Sequence, residues 1–163
     1  MENKQKLSYV QEKITTALIE LLKKNDIDDL SVSDIVKHAG VGRASFYRNF
    51  DTKRDVLVKH LQCLILEWGN EFEELNDPTK FSESLLNHYY THKDVYLLLY
   101  RQNLSSLIYE QIRWATHIDD ANENLERYIK STVSGLIFGV IDEWMRLGMP
   151  DSPSELKVLL DHK

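Results

Sequence analysis

Apolar residues recur every three or four positions along most of this chain, the spacing of amphipathic helices rather than the alternation of strands. Val10, Ile14, Ala17, Leu18, Leu21 and Leu22 make the first stripe. Ser8 and Gln11 stand just ahead of it at capping-box spacing, so the first helix is expected to begin near Ser8. A polar break at Asn25 to Asp29 follows. Val32, Ile35, Val36 and Ala39 then share one face of a short second helix. Ser31 and Asp34 form its capping box, and Leu30 and Ile35 occupy the staple positions around it. Gly40 is placed to end this helix, where a glycine takes the left-handed conformation without a Cβ penalty. Val41 can then tuck into the core, and a third helix over roughly 42–49 turns Phe46 and Phe50 inward.

The fourth stripe is the long one. Leu57, Leu61, Leu64, Ile65, Trp68, Phe72 and Leu75 predict a helix from Asp51 or Thr52 to about Pro78, roughly two dozen residues or ~36 Å. Thr52 and Asp55 are again box-spaced. Further helices are predicted over 81–90, 95–102 and 104–118, with breaks near His92-Lys93 and at Asn103. Another runs over 125–147 and ends at Gly148-Met149-Pro150, and a short last one covers 154–160 beside Pro153. Six glycines, three prolines and few β-branched runs agree with an all-α chain with short connections.

The stretch from Ser31 to Lys53 carries the clearest chemistry. It reads as helix, tight turn, helix, the layout that sets a second helix into the major groove of DNA. With Phe46 and Phe50 turned inward, Ala44, Ser45, Arg48 and Asn49 share the opposite face, Arg43 sits in the first turn and Tyr47 at the flank. Ala44 lets the backbone come close, and Ser45 can donate or accept. Arg43 and Arg48 can pair with guanine O6 and N7 or grip phosphates. A solvated helix face is the plain alternative; the capped helix and glycine turn before it favour the DNA reading.

Charge sharpens this picture. The 163 residues carry a net charge of −6, which on its face disfavours a nucleic-acid partner. Residues 1–60, however, hold 11 Lys and Arg against 9 Asp and Glu, and residues 61–163 hold 9 against 17. The N-terminal third is mildly basic and the remainder acidic, an asymmetry that would orient a DNA complex. Lys4, Lys6 and Lys13 lie at or before the first helix and either touch phosphates or are simply solvated. The single cysteine, Cys63, sits among leucines with no activating base and reads as a packed thiol. A polar start without a signal peptide and a lone thiol predict a reducing, cytoplasmic setting. No apolar run approaches the ~20 residues of a membrane span, so no membrane partner is expected.

The run VSDIVKHAGVGRASFYRNFDTKRDVL resembles the DNA-binding domain of the TetR/AcrR family of bacterial regulators. The elements that carry the resemblance are Asp34-Ile35, Ala39-Gly40-Val41, Gly42, Ala44-Ser45, Phe46, Tyr47, Arg48, Asn49-Phe50 and Lys53. Val36 replaces a usual alanine, and Arg48-Asn49 replaces the commoner aromatic–histidine pair, a change that bears on operator sequence. The resemblance implies that Arg43, Ala44 and Ser45 face bases and that Tyr47 meets a phosphate or a thymine methyl, with Gly42 and Arg48 also counted among the DNA-binding residues. It also implies that Asn49 meets the DNA backbone, and that Ser33 and Lys53 hold flanking phosphates. The last two agree with the anion preference of helix N-termini. It further implies an N-terminal domain over 8–68 with its helix-turn-helix at 31–50, a coupling fourth helix, and a C-terminal regulatory and dimerisation domain over 69–163.

In that C-terminal section, Trp68, Phe72, Tyr89, Tyr96, Tyr100 and Trp114 are candidates to line a ligand pocket, with simple core packing as the alternative for each. His88 and His92, four apart, could face a metal together, but no third ligand is in view, and no metal or cofactor is expected. Ile129, Val133, Leu136, Ile137, Val140 and Trp144 are candidates for a subunit interface, with Gly135 and Gly139 allowing close helix approach. This region loosely resembles the C-terminal part of a family subset that includes regulators of dihydroxyacetone kinase genes, where the last helices pair between subunits. The expectation is a homodimeric repressor of a palindromic double-stranded DNA operator, released by a small molecule. The alternative is a regulator, including an activator, whose C-terminal section docks a partner protein. No constellation for catalysis is present in the sequence, so no enzyme activity is expected.

Overall fold

The computed structural model describes residues 7–161, and every regular element in that span is a helix. The all-α class read from the periodicity is the one observed. Lys4 and Lys6 lie outside the described residues. The chain divides into two compact units, Met1–Leu66 and Glu67–Lys163.

The first unit holds α1 (Tyr9–Leu22), α2 (Val32–Ala39), α3 (Arg43–Asn49) and the first turns of α4 (Lys53–Leu75). Local capping starts each of the first two helices where the sequence places it. Ser8 Oγ accepts from the Gln11 amide at 3.3 Å, and Gln11 Oε1 accepts from the Ser8 amide at 2.8 Å. Ser31 Oγ accepts from the Asp34 amide at 3.2 Å, and Asp34 Oδ2 accepts from the Ser31 amide at 2.9 Å. The bonds from Ser31 hold the Asp34 carboxyl below the usual carboxylate range. Gly40 ends α2 at φ 65°, and the turn is closed by Val41 N–H donating to the Val36 carbonyl at 3.0 Å. Ile14, Leu18, Ile35, Phe46, Phe50 and Leu57 are buried and form the shared core. The two phenylalanines, 5.9 Å apart between ring centroids, fix which face of α3 is left outward.

The second unit takes the last turns of α4, then α5 (Phe81–Thr91), α6 (Lys93–Arg101), α7 (Ser106–Ala115), α8 (Asn124–Arg146) and α9 (Pro153–Asp161). Its helix ends depart from the periodicity in places where a polar side chain can take a left-handed backbone. Asn76 at φ 48° stops α4 before Pro78, and His117 at φ 51° stops α7 short of Ile118. The core is built on Tyr89 and Tyr96, whose rings lie 4.7 Å apart, together with Leu99, Leu107, Ile112 and Ile141. Tyr100 OH donates to Asp142 Oδ1 at 2.5 Å, tying α6 to α8.

Three aromatic side chains lie elsewhere than their candidate roles require. Tyr89 and Tyr96 are sealed in this core. Trp144, a candidate interface residue, is buried in its own subunit. It stacks on Tyr90 and donates its indole N–H to the Asp151 carbonyl at 3.2 Å. The reason is local cover: Tyr90 and the segment after α8 close over this end of the stripe, whereas Ile129 and Leu136 are left exposed.

Candidate nucleic-acid interface

α3 has seven residues, Gly42 precedes it in extended backbone, and its inner side is sealed by Phe46 and Phe50. That leaves Arg43, Ala44, Tyr47 and Arg48 exposed in one outward strip. Tyr47 is 50% exposed at the flank of this strip. An Arg43 guanidinium N–H donates to Tyr47 OH at 3.4 Å, and the guanidinium carbon lies 5.6 Å from the ring centroid. These contacts hold Arg43 and Tyr47 together as a pair. Arg48 donates to Ser45 Oγ at 3.0 Å. Each arginine spends one of its five N–H donors on its own helix, which leaves a fork suited to guanine or phosphate oxygens.

Ser45 and Asn49 are half-buried rather than fully outward, and Asn49 Nδ2 donates to the Ser45 carbonyl at 2.7 Å. The centre of the outward strip is therefore the Arg43–Tyr47 edge. Ser33 is exposed in the first turn of α2, beside exposed Lys37. Residues 31–54 hold five Lys and Arg against two Asp, so this surface is locally basic within an acidic chain.

Lys53 is held differently from the phosphate role the resemblance implies. Its ammonium donates to the Ile27 carbonyl at 2.5 Å and the Leu30 carbonyl at 2.6 Å, both in the segment between α1 and α2. Two of its three N–H groups are thereby committed within the protein. Sequence reasoning missed Lys59. Its ammonium donates to the Asn49 carbonyl at 2.8 Å and lies 3.2 Å from Asp55 Oδ2. The i,i+4 spacing of Asp55 and Lys59 was visible in the sequence. The reach to Asn49 depends on the angle between α3 and α4, which was not.

The pocket candidates of the second unit do not converge. Trp68 borders a cleft of about 590 Å3 with Glu67, Glu71, Ser84, His88 and His92. Its indole N–H donates to Ser84 Oγ at 2.9 Å, and Phe72 stacks on it at 5.9 Å. Tyr100 borders a separate cleft with Leu97, Arg101 and Met145, and Trp114 lies exposed away from both. The rings of His88 and His92 are 5.2 Å apart, but His88 Nε2 is hydrogen-bonded to Tyr96 OH at 2.9 Å. Among the described residues no three His, Cys, Asp or Glu side chains gather as a metal site. No described helix is long and apolar enough to cross a membrane.

Of the interface candidates on α8, Ile129, Val133 and Leu136 are exposed and Ile137 and Val140 half-buried. Leu125 and Tyr128 extend the exposed apolar face toward the start of α8, and Val158 and Leu159 on α9 are exposed as well. Gly135 and Gly139 are also exposed, and a Cβ built on either would meet nothing within 4 Å.

The fold and this strip define a helix-turn-helix protein with a basic recognition face. Residues 14–59 match the family model of bacterial regulatory proteins of the tetR family, a span from inside α1 into α4. Residues 14–59 thus carry a tetR-type DNA-binding domain, which supports reading the chain as a DNA-binding transcriptional regulator. Among solved structures it is similar to the fatty acid degradation regulator FadR from Bacillus halodurans. The TM-score is 0.57 at 15% identity, over 97% of this chain and 98% of that one. At that identity the likeness concerns the fold. No curated protein matches the chain.

Proposed function

We propose that the protein is a homodimeric repressor that sets two copies of α3 into successive major grooves of a palindromic operator, ~34–36 Å apart. The observation that carries the dimer is the outward face of α8. Leu136 is 69% exposed and Ile129 56%, and Gly135 and Gly139 of the same helix are exposed with nothing in the chain near a Cβ at either. A glycine in a helix interior costs about 1 kcal/mol against alanine, so two on an open face favour the close approach of a second helix. Recognition falls to Arg43, Ala44, Ser45 and Arg48 at bases, with Tyr47, Asn49 and Ser33 at the backbone. The effector is a small molecule seated in the cleft beside Trp68. It acts through α4, whose last turns border that cleft and whose first turns carry Lys59, the donor to the Asn49 carbonyl.

Selection from a pool of random duplexes tests this reading. The expected product is an inverted repeat with half-site centres about one helical turn apart. Recovery of a single asymmetric half-site, or of no sequence, contradicts it. Native mass spectrometry of the purified protein is expected to show two chains and to reveal any small molecule carried with them.

A further inference from the structure

We infer that Lys59, together with Lys53, positions the recognition helix by clamping the backbone at both ends of the helix-turn-helix from the first turns of α4. The inference rests on α3 being the DNA-reading helix.

The C-terminal end of α3 is incomplete. The last carbonyls of any helix lack partners within it, and a left-handed glycine cap usually supplies them. α3 has no such cap, because Phe50 follows it in extended backbone at φ −145°. The Asn49 carbonyl is instead met by the Lys59 ammonium at 2.8 Å, a cation at the negative end of the helix. The other bonding directions of that ammonium are also used. Asp55 Oδ2 lies 3.2 Å away, and the Phe50 ring centroid 5.2 Å away. Asp55 is itself fixed, since its carboxylate accepts from the Asp51 amide at 3.1 Å and its amide donates to Thr52 Oγ1 at 3.0 Å. The start of the module is held in the same manner. Lys53 donates to the carbonyls of Ile27 and Leu30, and Leu30 is the residue before the Ser31 cap of α2.

Both ends of the helix-turn-helix therefore hang on ammonium groups six residues apart on α4. A displacement of these turns pulls on α2 and α3 through hydrogen bonds as well as through packing. Lys59 is also a poor phosphate ligand here, because the Asp55 carboxylate beside it repels one.

Salt dependence separates a clamp from a phosphate contact, because only a phosphate contact releases counterions on binding. Lys59→Met keeps the apolar stem and removes the donors. The expected result is about tenfold weaker binding to the selected duplex, with the slope of log affinity against log salt unchanged. Amides of α3 should exchange hydrogen faster while those of α1 do not. Lys59→Arg is expected to restore affinity to within about threefold of wild type. A slope reduced by about one unit in Lys59→Met, or α3 exchange unchanged, overturns the clamp. Should Lys59→Met not fold, Lys59→Gln, which removes the charge but keeps an N–H donor, is read by the salt slope alone: an unchanged slope supports the clamp and a slope lower by about one unit overturns it. A wild-type protein that binds no duplex would refute the DNA reading instead, and the exchange measurement would still decide the clamp.

Discussion

The outward faces of α3 and α8 are both left uncovered by the unit that builds them, and they are opposite in chemistry. α3 offers two arginines, a tyrosine and an alanine over a sealed phenylalanine floor. α8 offers leucine, isoleucine, valine and tyrosine around two bare glycines. The first face is polar enough to keep its water cheaply, and in the proposed function a polyanion replaces it. The second exposes contiguous apolar surface, a feature of sites that are covered in the working assembly. The same amphipathic logic made both helices, and only the residues on the outer side decide what kind of partner each awaits.

The largest effect should come from spoiling the apolar face. Ile129→Glu combined with Leu136→Glu is expected to raise the dimer dissociation constant at least ~100-fold, since central apolar anchors dominate interfaces. Both side chains are exposed, so the subunit should keep its fold. Sedimentation equilibrium would check this, and an unchanged dimer would show that α8 faces something else.

A pH experiment distinguishes the cores beneath the two faces. In the second unit, burial and then neighbouring His92 push the His88 pKa from 6.5 down to about 3. The unfolded chain takes a proton near pH 6.5 that the folded one refuses until near pH 3. The stability conferred by the neutral ring is therefore complete above about pH 6.5 and lost as pH falls toward 3. Urea unfolding at pH 7 and pH 5 should differ by about 2 kcal/mol from this group, and His88→Gln should remove that part. Equal pH dependence in both proteins would contradict the burial account.

Smaller again is Arg43→Ala, expected to cost about 1–3 kcal/mol at its own base position and relax the selected sequence there. An unaltered selection would move base reading to Arg48. The smallest effect is at Gly139. With nothing near its missing Cβ, Gly139→Ala should favour the helix by about 1 kcal/mol within the subunit while weakening the dimer. A dimer unaffected or strengthened by that change would remove the glycines from the interface.

Much of the first unit could be read from sequence because its signals are local. The Ser8, Ser31 and Thr52 caps and the Gly40 turn depend on residues a few positions apart, and all form where the spacing puts them. The inward phase of Phe46 and Phe50 followed from period alone. What could not be read were choices made across space. Tyr89 and Tyr96 have the composition of pocket residues, yet they pack on each other, and Trp144 is covered by Tyr90. Lys53 looked like a cation available to phosphate, and Lys59 drew no notice, because the carbonyls they meet come from elsewhere in the chain. Aromatic and lysine side chains are long, and their partners depend on helix-crossing geometry that no periodicity encodes.

The central claim is that a symmetric pair of chains reads DNA through α3. Hydroxyl-radical footprinting of the wild-type protein on its selected duplex tests this most directly. The account predicts two protected half-sites related by a dyad, about one helical turn apart, both lost in the Ile129→Glu, Leu136→Glu protein at concentrations where wild type saturates the site. A single protected half-site, or full protection by that variant as a monomer, would contradict it.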